Sequence, residues 1–218
     1  MELELWQFAV LFAAAFFGGF IDSIAGGGGL ISLPALLAVG VPPHVALATN
    51  KLQGSFGSFT AALNFIRKGY VDAAEILRGV IFTFIGALIG ARAVLFIDAK
   101  FLNYLIPILL LALLFYMIFS PNLGEAPAKP KMSKKSFYAI FGLVLGFYDG
   151  FFGPGAGSFW TFALVGILGL YMKKAVAHTK VLNFTSNIVS LGVFIIGGQI
   201  LWLVGAVMAV GQIAGSFA

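Results

Sequence analysis

The stretch Gly19-Phe-Ile-Asp-Ser-Ile-Ala-Gly-Gly-Gly-Gly29 decides the fold, because a second version of it occurs later in the chain. That version reads Gly146-Phe-Tyr-Asp-Gly-Phe-Phe-Gly-Pro-Gly-Ala-Gly157, and in both the glycine run begins four positions after the aspartate. Each glycine inside a helix costs about 1 kcal/mol relative to alanine, so such runs predict a break in a helix. We therefore expect one broken helix in each half of the chain.

The duplication continues beyond these two stretches. Asn50-Lys51 corresponds to Thr179-Lys180, and residues 85–90 resemble residues 210–215. The register between the copies changes by only a few residues along the chain. Two copies of one structural unit therefore account for nearly the whole sequence.

A polar segment separates the copies, and its proline and lysine content is typical of an exposed linker. The second copy stops soon after residue 215, so we expect its last helix to be missing. The predicted division is a first transmembrane repeat in residues 1–119, a cytoplasmic linker in 120–136 and a second transmembrane repeat in 137–218.

Composition indicates a membrane protein. Hydrophobic residues make up 61% of the chain and charged residues only 10%, with a mean hydropathy of +1.04. A soluble core of this length could not bury so much apolar surface. The apolar runs show no alternation of polar and apolar positions, so we expect an all-α membrane protein. The predicted spans are residues 5–21, 45–66, 76–97, 101–119, 137–152, 176–196 and 200–218.

Several functional classes are disfavoured by the residues present. The chain has no cysteine, which excludes thiol catalysis and cysteine-ligated metals, and its two histidines lack acidic neighbours in the sequence. No nucleotide-binding P-loop occurs. The net charge of +5 comes from short loops and not from a basic domain, so nucleic acid is not an expected partner. We expect neither an enzyme nor a cofactor or metal.

Basic residues mark the loops that should face the cytoplasm. If each glycine-rich break is a hairpin that returns to its own face, every basic cluster lies on one side of the membrane. The two copies are then inverted, as in many secondary transporters with a site near the midplane. We expect a multi-pass protein of the cell (inner) membrane with its N-terminus outside. The basic clusters are Arg67-Lys68 with Arg78, the lysines at 129, 131, 134 and 135, and Lys173-Lys174.

The glycine-rich breaks also predict an anion site. Residues 30–40 form a helix of about half a bilayer thickness, and residues 155–170 are expected to do likewise. The N-terminus of such a half-helix presents backbone N–H groups and a positive dipole end, and glycine lets an anion approach them. The alternative is that the glycines only allow close helix packing. The residues expected to bind through these breaks are Gly26, Gly27, Gly28, Gly29, Gly153 and Gly155.

Two lysines provide the expected charge for this site. Lys51 and Lys180 lie about two turns into predicted spans, where a charge marks a functional site unless the side chain snorkels to the interface. Inverted copies would point both lysines toward the centre, with hydrogen bonds from Asn50, Gln53, Thr179, Asn183 and Asn187. The aspartates at the breaks, Asp22 and Asp149, are candidates to pair with the lysines, to cap the half-helices or to carry coupling protons. His178 is a candidate for coupling or for a structural role.

The two glycine-rich stretches, together with Ala48-Thr-Asn-Lys51, resemble the TauE/SafE family of membrane permeases over almost the entire chain. That resemblance implies transport of sulfite, organosulfonates or related sulfur-containing anions. The expected function is an ion-coupled secondary transporter that moves a small sulfur-containing anion across the bilayer. A passive anion channel and a carrier of a non-sulfur organic anion remain alternatives at this point.

Overall fold

The computed structural model describes residues 3–24, 27–119 and 129–218. These residues form nine helices and no strand, which confirms the all-α prediction. The helices are α1 (Leu5–Ile24), α2 (Gly29–Ala38), α3 (Pro43–Arg67), α4 (Ala73–Leu95), α5 (Ala99–Ile118), α6 (Lys134–Phe151), α7 (Ala156–Gly166), α8 (Met172–Ile196) and α9 (Trp202–Ser216).

Local sequence explains where several helices begin. Pro43 occupies the first turn of α3, where a missing N–H group costs nothing. Asp72 caps α4 by accepting a hydrogen bond from the backbone N–H of Ala74 at 2.8 Å, and Asp98 caps α5 through the N–H of Lys100 at 2.7 Å. Short loops with such caps connect the long helices at the two ends of the bundle.

Each of the seven predicted spans contains a helix, but the helices differ in their capacity to cross a membrane. By length and composition α1, α4, α5 and α8 could do so. Helix α3 has 25 residues, yet its buried face carries many polar side chains. Helix α6 begins with two lysines and a serine, which lowers its hydropathy. Helix α9 has 15 residues, which is short for a membrane span.

Both broken helices are hairpins that return to the end at which they began. Near the start of α1, the Nε2 of Gln7 donates to the backbone oxygen of Val39, which follows α2, at 3.1 Å. In the second copy the N–H of Lys131, before α6, donates to the oxygen of Ile167, after α7, at 2.8 Å. The short helices α2 and α7 are therefore half-length return segments. Helix α2 is close to the length expected from the sequence, whereas α7 is shorter than the predicted residues 155–170.

Basic side chains gather at one end of the bundle, which we call the basic end. Glu75 at the start of α4 pairs with Lys134 at 2.8 Å and with Lys174 at 2.7 Å. Lys173 lies over the ring of Tyr70, 4.5 Å from its centroid. The start of α4, the start of α6, the start of α8 and the loop after α3 thus meet at this end.

The opposite end holds the start of α3. There the ring Nε2 of His44 lies 3.1 Å from the oxygen of Val94, near the end of α4. The N–H of Leu201, which follows α8, donates to Thr49 Oγ1 at 3.2 Å. Helices α3 and α8, which are equivalent in the repeat, therefore run antiparallel. This direction is the one that inverted copies require, and inversion across a membrane stays a prediction.

Glycines allow the first helix of each copy to pack on the fourth helix of the other. A Cβ on Gly90 of α4 would collide with the backbone oxygen of Phe147 on α6. Its counterpart Gly215 on α9 faces the backbone oxygen of Phe16 on α1 in the same way. Close packing is thus the role of these helical glycines, as small residues provide in membranes. Because the pairing is crosswise, the two copies form one body around α3 and α8.

The arrangement of the helices does not test the predicted limits of the two repeats and the linker. Residues 120–128, most of the predicted linker, lie outside the described residues. The limits 1–119, 120–136 and 137–218 therefore stay a prediction.

Candidate functional site

A small cavity of about 50 Å³ lies at the centre of the bundle, between the two glycine-rich breaks. A few water molecules or one small ion fill a space of this size. Both α3 and α8 contribute polar side chains to its wall. The side chains that line it, apart from the residues of the two breaks, are Asp22, Asn50, Lys51, Gln53, Ser58, Asp149, Asn183, Asn187 and Gln212.

Two helix N-termini face each other across this cavity. Gly29 begins α2 and Ala156 begins α7, and both residues line the wall. A Cβ on Gly29 would lie only 3.3 Å from the Cα of Pro154, so the two breaks are in direct contact. The positive ends of both helix dipoles therefore point toward one small space, which favours an anion there.

The second break needs glycine for its backbone shape as well as for space. Gly153 has a φ of +100° and Gly155 a φ of +76°, values that a side chain strongly disfavours. A Cβ on Gly153 would also lie 2.8 Å from the Nζ of Lys51. The lysine ammonium group can rest against the break only because no side chain is present at that position.

Lys51 forms a buried ion pair with Asp149 of the other copy, with 2.5 Å between Nζ and Oδ1. The two side chains are 2% and 4% exposed. Lys51 also donates to the Oδ1 of Asn187 at 3.1 Å, and Asp149 accepts a hydrogen bond from the hydroxyl group of Ser186. Lys51 therefore does not snorkel to an interface, and its charge is compensated inside the bundle.

Lys180 makes the equivalent pair with Asp22, with 2.8 Å between Nζ and Oδ2. Here the lysine is 2% exposed and the aspartate 18%. Asp22 also accepts a hydrogen bond from the backbone N–H of Gly27 at 3.1 Å, which ties the carboxylate to its own break. Each lysine thus pairs with the aspartate at the break of the other copy. Pairing and, for Asp22, stabilisation of the break are the roles visible in the structure.

The structure does not place both lysines on one cavity. Lys51 lines the central cavity, whereas Lys180 lines a second cavity of about 410 Å³. Asp22 and Gln212 border both spaces and stand between them. Lys180 thus lies on the other side of Asp22 from the central cavity, and the expectation that both lysines bind one anion stays a prediction.

The other predicted site residues fall into three groups. Asn50, Gln53 and Asn183 line the central cavity together with Gly27, Gly28, Gly29, Gly153 and Gly155. Thr179 and His178 do not line it: Thr179 Oγ1 lies 3.1 Å from Thr161 Oγ1, and His178 Nδ1 lies 2.7 Å from the hydroxyl group of Tyr138. Gly26 lies outside the described residues.

Some lining residues were not predicted from the sequence. Ser58 lies two turns beyond Lys51 on the same face of α3, so helical spacing could have indicated it. Gln212 replaces the apolar Ala87 of the first copy, a difference that a comparison of the repeats shows. The side-chain oxygens of Gln53, Asn183 and Gln212 have no hydrogen-bond partner within the described part of the chain. An amide group can turn to present either its oxygen or its NH₂ group to a ligand.

No cluster of three or more histidine, aspartate or glutamate side chains that could hold a metal ion occurs among residues 3–24, 27–119 and 129–218. The site is therefore built from amides, paired charges and helix ends.

Comparison with known proteins gives the chain a family. Residues 11–218 match the family described as sulfite exporter TauE/SafE. A probable membrane transporter protein of Haemophilus influenzae is 46% identical over 220 residues, covering 99% of this chain and 85% of the relative. The probable membrane transporter protein YfcA of Escherichia coli K12 is 47% identical over 207 residues, covering 95% and 77%. No solved structure gives a significant match.

A third relative extends the comparison to another bacterium. The probable membrane transporter protein ORF9 of a Sinorhizobium species is 43% identical over 215 residues, covering 99% of this chain and 82% of the relative. Family and relatives are described as transporters, which confirms the prediction that the protein is not an enzyme. The chain belongs to the TauE/SafE family, and it is a membrane transporter.

Proposed function

We propose that this chain is an ion-coupled secondary transporter that moves a small sulfur-containing anion, such as sulfite or an organosulfonate, across the cell membrane. The observation that carries the proposal is the central cavity, which two helix N-termini and a set of amide side chains surround. The description of the matching family as a sulfite exporter supports the choice of anion.

The geometry of the cavity suits a small oxyanion. Helix N-termini provide favourable dipoles, and the amide groups of Asn50, Gln53 and Asn183 can donate hydrogen bonds to several oxygens at once. Lys51 adds a cation at the wall, although Asp149 already occupies one side of it. These donors suit the oxygens of a compact anion, which is the reason for the proposed substrate class.

The charge balance of the site supports coupling to a second ion. Lys51 pairs with Asp149 and Lys180 with Asp22, so these four groups add no net charge at or next to the central cavity. An anion that enters alone brings an uncompensated charge into a region where burial of charge is costly. A proton on one carboxylate, or a cation bound with the anion, restores the balance. Anion binding should therefore depend on a co-transported ion.

The orientation follows from the basic end of the bundle. We propose that this end faces the cytoplasm, because cytoplasmic loops carry the excess of lysine and arginine. The N-terminus then lies outside and the two copies are inverted in the cell (inner) membrane. The antiparallel direction of α3 and α8 supports this arrangement.

Uptake by proteoliposomes that contain the full chain tests the proposal. Sulfite, thiosulfate, sulfoacetate and taurine are supplied at equal concentration on both sides, with a gradient of either protons or sodium imposed across the membrane. We expect at least one of these compounds to accumulate against its own gradient under one of the two ion gradients. Flux that only dissipates a gradient of the compound would instead indicate a passive channel. Absence of any flux or binding would contradict the proposed substrate class.

A pair of variants on one helix tests the site itself. Asn183 lines the cavity and has an unpartnered side-chain oxygen, so Asn183→Ala should reduce uptake at least tenfold. Thr185 is also buried on α8 but bonds only the backbone oxygen of Val181 and does not line the cavity. Thr185→Val should therefore retain uptake, and equal loss in both variants would contradict the site assignment.

A further inference from the structure

The second cavity, which we call the vestibule, leads from the central site toward the basic end. It has a volume of about 410 Å³ and lies between α1, α3 and α9, with Lys180 of α8 in its wall. The pair of Asp22 and Lys180 lies in its wall together with Gln212, and Arg67 at the end of α3 lies at the basic end. The polar side chains along it are Ser23, Thr60, Asn64 and Ser216.

The equivalent position in the other copy is closed. Gly57 and Ala61 of the vestibule correspond to Ser186 and Ser190 at the repeat offset of 129, and both serines are 0% exposed. Ala87, the counterpart of Gln212, is 0% exposed as well. In the part of the chain that the structure describes, none of these three counterparts lines a groove that reaches the pair of Lys51 and Asp149.

A groove on that second side stops short of the site. It is lined by α4 and α8 residues such as Leu88, Val189 and Val193, and neither Lys51 nor Asp149 borders it. The exposure of the two aspartates differs accordingly, at 18% for Asp22 and 4% for Asp149. The vestibule therefore reaches the pair of Asp22 and Lys180, whereas the groove on the second side borders neither Lys51 nor Asp149.

Gln212 stands where the vestibule meets the central cavity. It borders both spaces, is 7% exposed and has an unpartnered side-chain oxygen. The absence of a side chain at Gly57 makes room for it, since a Cβ there would lie 3.0 Å from the Cγ of Gln212. Because the side-chain oxygen of Gln212 has no hydrogen-bond partner among the described residues, the amide group can rotate without losing a hydrogen bond to that oxygen.

We propose that the vestibule is the route by which the transported anion passes between the central cavity and the basic end, and that Gln212 is the gate residue on this route. The inference rests on the proposed transport function. The hydroxyl groups of Ser23, Thr60 and Ser216 donate to backbone oxygens of their own helices. The amide groups of Asn64 and Gln212 can donate hydrogen bonds to an anion in the vestibule, and Arg67 attracts it at the basic end.

Substituted cysteines test the route, because the natural chain contains none. Ala61→Cys places a thiol in the vestibule, and Ser190→Cys places one at the equivalent position of the other copy. Lys68→Cys, in the exposed loop after α3, marks the basic end. Each full-length variant is treated with a charged, membrane-impermeant maleimide in vesicles of known orientation, once from each face.

We expect Ala61→Cys to react from the same face as Lys68→Cys and at least tenfold faster than Ser190→Cys reacts from either face. Equal reactivity of the cysteines at 61 and 190 would overturn the inference, as would reaction at 61 only from the opposite face or no reaction there. All three variants should give a single sharp elution peak, which shows that they fold. This readout does not require a transported compound, so it can fail while the proposed function stands.

Flux measurements connect the route to transport. Labelled Ala61→Cys should lose uptake of sulfite, thiosulfate, sulfoacetate and taurine alike, whereas labelled Lys68→Cys should keep the uptake of its unlabelled form. Loss of uptake only after label at position 61 supports the route. Unchanged uptake after complete label at 61 would overturn it while leaving the proposed function intact.

Discussion

Replacement of Lys51 by methionine should destabilise the protein strongly, because it leaves the carboxylate of Asp149 buried without its cation. The two side chains are 2% and 4% exposed, and the distance between Nζ and Oδ1 is 2.5 Å. Methionine has a similar length and no charge, so the variant removes the ammonium group with little change in packing. Ser186 would remain as a hydrogen-bond donor to Asp149, but a hydroxyl group does not compensate a full charge.

The magnitude follows from the burial of the pair. Removal of one partner of a buried ion pair costs about 3 to 5 kcal/mol. For a chain of this size, each kcal/mol lowers the midpoint of thermal unfolding by about 2 to 4 °C. Lys51→Met should therefore lower Tm by roughly 6 to 20 °C, measured in detergent by a fluorescence-based thermal shift.

Two matched variants separate the lost pair from a general effect of substitution. The double variant Lys51→Met with Asp149→Asn contains no buried charge at this point, so it should recover most of the lost stability. Lys134→Met breaks the pair with Glu75, in which the lysine is 56% exposed, and should cost about 1 kcal/mol or less. The reasoning would be refuted if Lys51→Met lowered Tm no more than Lys134→Met, or if the double variant lost the sum of both single effects.

Three further predictions concern glycines and are measured by the same thermal shift. Gly153→Ala should cost about 1 to 2 kcal/mol, since the backbone has a φ of +100°, and should weaken anion binding because the new Cβ crowds the Nζ of Lys51. Gly90→Ala should cost about 1 to 3 kcal/mol, because its Cβ meets the backbone oxygen of Phe147 and the packing of α4 on α6 must loosen. Gly192→Ala, with no atom near its Cβ, should instead stabilise α8 by about 0.5 to 1 kcal/mol. A loss of stability in Gly192→Ala as large as in the other two variants would contradict this reasoning, because alanine favours a helix more than glycine does and no atom of the described residues lies near its Cβ at that position.

Much of the fold could be predicted from the sequence because the repeat and its glycines act locally. The run after Asp22 predicts a half-helix at residues 30–40, and the structure has α2 at Gly29–Ala38. The corresponding prediction at residues 155–170 exceeds α7, which ends at Gly166. The backbone turns at Gly169, whose φ is +70°, so the apolar run continues past the point where the helix ends.

The candidate site was predictable only in part, because its contacts join the two copies. Repeat offsets identify Lys51 and Lys180 as equivalent but do not say which aspartate each one meets. That pairing depends on the crosswise packing of α1 on α9 and of α4 on α6, which no pattern within one copy contains. The position of Gln212 between the two cavities could not be predicted either, because it results from the packing of helices and not from the neighbouring sequence.

The exchange of ion-pair partners between the copies has a consequence for how the protein is made. A ribosome delivers α1 and α3 to the membrane well before α8 exists, so Asp22 is inserted long before its cation is synthesised. Each half contains one acid and one base of these pairs, and the native partner of each lies in the other half. Association of the halves therefore supplies both native ion pairs at once, and we expect a nascent chain arrested after the first copy to be degraded by membrane quality-control proteases faster than the whole chain.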